Sequence, residues 1–248
     1  MVLKQLKQWF TVRANAARWR AFADWADQRK GSFRMARDGA GFVVELSQGL
    51  PGQVRIEWGP SQRSYIEGHE LRMRCEMRLS HELQMMVIER ELMERLEREV
   101  FEAYTDTLKT RIDTDTPEEM RWLVMFPKLP QIESKLLRER FGVLGINREL
   151  CASWLEPALA DKLVQASQDL VPAGRPFVLM GLRGNAYLRT AMAEPDLDQV
   201  QVLCRLLEAA ARALQSANQR LGEGGVWPTT TSVAWHSRPP EGENPTPV

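Results

Sequence analysis

Between Gly68 and Leu79 apolar and charged residues alternate. Leu71, Met73, Cys75, Met77 and Leu79 are apolar, and Arg72, Arg74, Glu76 and Arg78 stand between them. Successive side chains of a strand point to opposite faces, so this run predicts a strand with one apolar and one charged face. Such a strand needs neighbours to pair with and an apolar layer over one face only. The sequence before it supplies the neighbours. Phe42, Val44 and Leu46 alternate with Val43 and Glu45, and Val54, Ile56 and Trp58 alternate with Arg55 and Glu57. Asp38-Gly39 and Pro51-Gly52 predict the turns between them. Residues 32–79 therefore read as an antiparallel meander.

The remaining periodicity is mostly helical. Leu3, Leu6, Trp9, Phe10, Trp19, Phe22, Trp25 and Ala26 recur at three- and four-residue intervals, which predicts a helix over 2–30 that stops at Gly31. Within 82–111, LQMMVIER reads as a further strand and RELMERLEREVFEAYTDTL as a helix. Thr116-Pro117-Glu118-Glu119 reads as a helix start, with Thr116 as cap, Pro117 in the first turn and Glu119 as the capping-box acceptor. Residues 131–170 read as broken helices interrupted at Gly142 and Gly145. FVLMGL and AYLRTAM predict a hairpin turning at Arg183-Gly184-Asn185, and 197–221 predicts a long closing helix. Strands come in runs instead of alternating with helices, so the fold class expected is α+β, with helices packed on one face of an antiparallel sheet. The division expected is a basic amphipathic helix over 1–31, an α+β domain over 32–221 and a disordered Pro/Thr-rich tail over 222–248.

Composition excludes several classes. The chain has 248 residues, 44% of them hydrophobic, and 33 Lys+Arg against 33 Asp+Glu. Zero net charge argues against general nucleic-acid binding. Three widely spaced cysteines, Cys75, Cys151 and Cys204, form no CxxC pair, and buried free thiols in a reducing cytoplasm are expected. Lys4, Lys7 and Arg13 interrupt the first apolar residues, so no secretory leader is expected, and no run is long enough for a membrane span. The pentads at His69 and His81 are HELRM and HELQM, neither of them HExxH. No metal, no cofactor and no catalytic residue is assigned.

Two regions carry candidate contacts. Residues 1–30 hold seven basic and two acidic residues, a local charge of +5. With Lys4 and Lys7 beside Trp9 and Phe10, this helix suits a protein groove or an anionic membrane surface at the inner membrane, or else packs on the protein's own sheet. The second region is Trp58–Glu70. Arg63 suits an anion, His69 is a candidate proton-linked contact, Glu70 and Tyr65 are polar partners, and Trp58 offers a rigid surface. The plain alternative is a structured connection in which Tyr65 packs and His69 opens a strand.

The blocks WGPSQRSYIEGHELRMRCEMRL and TPEEMRWLVMFPKLP resemble a group of uncharacterised proteobacterial proteins. The C-terminal half, with FGVLGINRELCASWLEPALADKLVQAS and FVLMGLRGNAYL, resembles α+β units of bacterial proteins of unknown function. The resemblance implies a bacterial α+β protein and transfers no site residue. The function expected is a non-enzymatic interaction or regulatory module. One alternative is an enzyme with a site at Arg63, Tyr65, His69 and Glu70. Another is a membrane- or nucleic-acid-surface binder. No oligomeric state is expected from the sequence.

Overall fold

The computed structural model describes residues 17–36, 41–105 and 116–222. Among these the order is α1 (Arg20–Gln28), β1 (Ser32–Met35), β2 (Phe42–Leu46), β3 (Gln53–Pro60), β4 (His69–Glu76), β5 (Met85–Glu89), α2 (Arg90–Thr105), α3 (Glu118–Met125), α4 (Lys135–Arg140), β6 (Phe141–Gly145), α5 (Arg148–Trp154), α6 (Pro157–Asp169), β7 (Phe177–Leu182), β8 (Asn185–Ala191) and α7 (Leu197–Gly222). The fold is α+β. All eight strands form one antiparallel sheet in the order β1-β2-β3-β4-β8-β7-β5-β6. The first four strands are the meander expected, and the late hairpin joins it through β8 beside β4. The strand read in 85–89 is β5.

One face of the sheet carries the main core. Phe42, Val44, Ile56, Trp58, Leu71, Met73, Cys75, Leu179 and Leu188 point into it, and the buried stripes of α5, α6 and α7 cover it. Ala210, Ala211, Ala213 and Ala217 are all buried on α7. These short side chains let a 26-residue helix lie close to the strands. α1 belongs to this same core through Phe22, Trp25 and Ala26, with Trp19 just before it. The aromatic face of that part of the N-terminal helix is therefore turned inward. Lys4, Lys7, Trp9, Phe10, the Asp38-Gly39 turn and the tail from 223 lie outside the described residues.

The helices are not confined to one face. α2 and α3 place Leu92, Met93, Leu96, Trp122 and Leu123 on the opposite side, over Met86, Ile88, Leu144, Val178 and Met180. β5 is consequently buried along its whole length, between two helical layers, and reads as a continuous apolar run instead of an alternation. β6 is buried throughout for the same reason. The expectation that Gly142 and Gly145 interrupt a helix is corrected here, because FGVLG is a strand. Gly142 faces the Met93 side chain and Gly145 faces Cys151 closely enough to leave no room for a Cβ. The β7–β8 turn has positive φ at Arg183 (50°) and Gly184 (74°), the pair of values a two-residue type I′ hairpin requires. A Cβ on Gly184 would also strike the Leu79 backbone, whose N–H donates to the Gly184 carbonyl at 3.1 Å.

Candidate binding cleft

The second face of the sheet changes character along its strand order. One row across paired strands reads Glu45, Arg55, Arg74, Tyr187, Met180, Met86, Leu144. The next reads Val43, Glu57, Arg72, Arg189, Val178, Ile88, Gly142. Both rows pass from polar to apolar between β8 and β7. The apolar part lies under α2 and α3, and no helix packs over the charged part among the described residues.

In this charged part arginines meet across strands. Arg55 stands opposite Arg74, and Arg72 opposite Arg189. Like charges directly opposed are unfavourable, and glutamates set between them offset this. Glu45 accepts from Arg34 and Arg55, at 2.7 Å each. Glu57 accepts from Arg55 and, at 3.1 Å, from Arg72. Glu70 accepts from Arg72 at 3.0 Å and, through its two oxygens, from Arg189 Nη1 at 2.7 and 2.8 Å. The result is a ladder of alternating charge from β1 to β8: Arg34, Glu45, Arg55, Glu57, Arg72, Glu70, Arg189. Burial pushes the Glu57 carboxyl up, but hydrogen bonds and charge from Arg55 and Arg72 outweigh it and hold the group below the usual range.

Glu70 is fully buried, and a third donor reaches it, the Gln62 backbone N–H at 2.8 Å. That contact ties the ladder to the loop between β3 and β4. The loop closes on itself through Ser61 N–H to the Gly68 carbonyl at 2.9 Å, and it turns Tyr65 and Ile66 under α2 and α3. The Tyr65 hydroxyl and the Arg63 guanidinium both donate to one oxygen of Glu119 on α3. Burial, followed by the Glu119 carboxylate, pushes the Tyr65 phenol far up. Burial also pushes Glu119 up, but Arg63 and the Tyr65 hydroxyl overcome it and hold the carboxyl below its ordinary value. Glu119 is therefore not a capping-box acceptor. The N-cap of α3 is Pro117, and no side chain caps the helix.

Between the loop, the start of α3 and strands β4, β8 and β7 lies a cleft of about 290 Å³. Six arginines line it (Arg55, Arg63, Arg72, Arg74, Arg183 and Arg189) against three glutamates, Glu57, Glu118 and Glu119. Val178, Met180 and Leu182 line its apolar side. No family model, curated protein or solved structure matches this chain. The cleft must be read from its own chemistry.

The structure divides the candidates drawn from Trp58–Glu70. Arg63 and Tyr65 meet at the cleft, and Glu70 anchors its floor through Arg72 and Arg189. Trp58 and His69 lie on the other face. Trp58 is 4% exposed, stacks on His69 with centroids 4.7 Å apart and planes 13° apart, and donates its indole N–H to the Met192 carbonyl at 2.8 Å. Five arginines of the cleft stand outside the stretch singled out: Arg55, Arg72 and Arg74, charged members of the alternating strands, and Arg183 and Arg189. Arg189 was legible as the polar member of the alternation Ala186, Leu188, Thr190 in β8. Arg183 read only as a turn residue. Within the cleft the Tyr65 phenol is pushed up, and the Glu57 and Glu119 carboxyls are held down by their arginine partners. The three cysteines are buried, and burial pushes each thiol up to about 12. No helix among the described residues is long and apolar enough to cross a membrane.

Proposed function

We propose that this chain is a non-catalytic interaction module that holds an acidic segment of a partner protein in the arginine-lined cleft. The observation that carries the reading is the lining of the cleft, six arginines and three glutamates, with the further partners Glu45, Glu70 and Glu76 outside the lining and two arginine pairs directly opposed across strands. A guanidinium offers five donors in a planar fork suited to carboxylates. The ladder uses some of these donors internally. Arg74 is paired through Nη2 with Glu76 and is 43% exposed, and Arg183 is paired with Glu118 and is 69% exposed. Both face solvent at the mouth of the cleft, where an incoming carboxylate can exchange for a weak exposed pair. Titratable groups locked in ion pairs support binding over proton transfer. Buried, unpaired thiols support a reducing compartment, and on that ground we place the module in the cytoplasm.

The test is a titration with a labelled glutamate-rich peptide, followed by fluorescence anisotropy at low and high salt. The wild type should bind, with affinity falling as salt rises. The Arg74→Glu/Arg183→Glu double variant should bind about tenfold more weakly or worse, a change of about 1.4 kcal/mol. Its melting temperature should stay close to wild type, because both side chains are on the surface. Absence of binding at low salt, or equal binding by the double variant, would refute the proposal.

A further inference from the structure

The cleft has two unlike walls, and their spacing restricts what fits. On the assumption that it takes an acidic partner segment, we infer that the segment is extended and carries an apolar side chain two residues from its acidic one. Arg72 and Arg74 lie on β4, Arg189 on β8, and Val178 and Met180 on β7, next to Leu182 at the end of that strand. Neighbouring strands are about 4.8 Å apart, so apolar groups begin about 5 Å from Arg189 and about 10 Å from Arg72 and Arg74. In an extended chain, side chains two residues apart point the same way and stand about 6.7 Å apart. That distance falls between the two. A carboxylate set among the arginines therefore places a leucine or phenylalanine two residues away against Leu182, the partly exposed end of the apolar wall, with Val178 and Met180 buried beside it. A side chain one residue away would point back to solvent. Tyr187, half-buried between the walls, lies beneath the backbone that joins the two groups. A cleft of about 290 Å³ holds about two such side chains and little more.

The experiment compares three labelled peptides of equal charge on the wild-type protein: one with Glu-Ser-Leu, one with Glu-Leu-Ser and one with Glu-Ser-Ser at its centre. The first should bind roughly fivefold more tightly than the other two, the gain expected from partly burying a leucine. Leu182→Ser should remove that advantage, so that on this variant the Glu-Ser-Leu and Glu-Ser-Ser peptides bind alike. Equal binding of all three peptides overturns this inference and leaves the acidic-segment reading standing. Equal binding of the first two overturns the two-residue spacing. Failure of every peptide to bind overturns both. The peptide comparison on wild type stands even if the Leu182 variant does not fold.

Discussion

Replacing Glu70 with alanine should destabilise the protein by about 3–5 kcal/mol, the usual cost of leaving a buried charge without its partner. Glu70 is 0% exposed and accepts from Arg189, Arg72 and the Gln62 N–H. Without it, Arg72 and Arg189 face each other on adjacent strands with no carboxylate between them, and the loop that holds Arg63 and Tyr65 loses its tie to the sheet. For a domain of this size the drop in melting temperature should be roughly 6–20 °C. Coupling should be local. In a double-mutant cycle, Glu70→Ala and Arg189→Ala should be non-additive by about 1 kcal/mol or more, whereas Glu70→Ala and Arg34→Ala, at opposite ends of the ladder, should add. A loss below about 1 kcal/mol for Glu70→Ala would mean that the ladder is a surface ornament of the kind that contributes little.

Trp58→Ala should cost about as much, about 3–5 kcal/mol, for a different reason. Trp58 pairs with Phe42 across β2 and β3 with ring centroids 6.1 Å apart, contacts Trp19 at 5.4 Å, and stacks on His69. Its indole N–H satisfies the Met192 carbonyl. Truncation opens a cavity and orphans that carbonyl together. Trp58→Phe keeps most of the packing and loses the hydrogen bond, so it should cost nearer 1 kcal/mol. Denaturant unfolding monitored by circular dichroism measures both. If Trp58→Ala unfolds like wild type yet abolishes peptide binding, then Trp58 is a recognition surface and not a core residue.

Much of the fold was legible because most strands of the meander and late hairpin have one face in the main core and the other outside it. Period-two patterns in 42–46, 53–60, 69–76 and 185–191 each mark a strand whose second face carries the polar and charged residues, with a few apolar ones such as Val43 and Ala191. Legibility failed where both faces are buried. Phe141–Gly145 carries no alternation because α2 and α3 lie on one side of it and the main core on the other. Its glycines serve close packing instead of a helix break. The cleft was half legible for a related reason. Arg63, Tyr65 and Glu70 stand out in a short polar stretch. His69 and Trp58 share that stretch, but strand alternation sends them through the sheet, and neighbours in sequence become opposites in space. Glu119 was hidden by a local pattern, Thr-Pro-Glu-Glu, that fits a helix start. Its partners Arg63 and Tyr65 are 56 and 54 residues away, and only the tertiary fold brings them to it.

The central claim is that the seam between β8 and β7 is a binding cleft. Amide chemical-shift mapping of the full chain, titrated with the Glu-Ser-Leu peptide, tests it most directly. The shifts should concentrate at Arg74, Leu182, Arg183, Tyr187 and Arg189, and they should fade as salt is raised. Shifts confined to the exposed apolar residues Val124, Met125 and Leu136, with the five cleft positions unmoved, would contradict it.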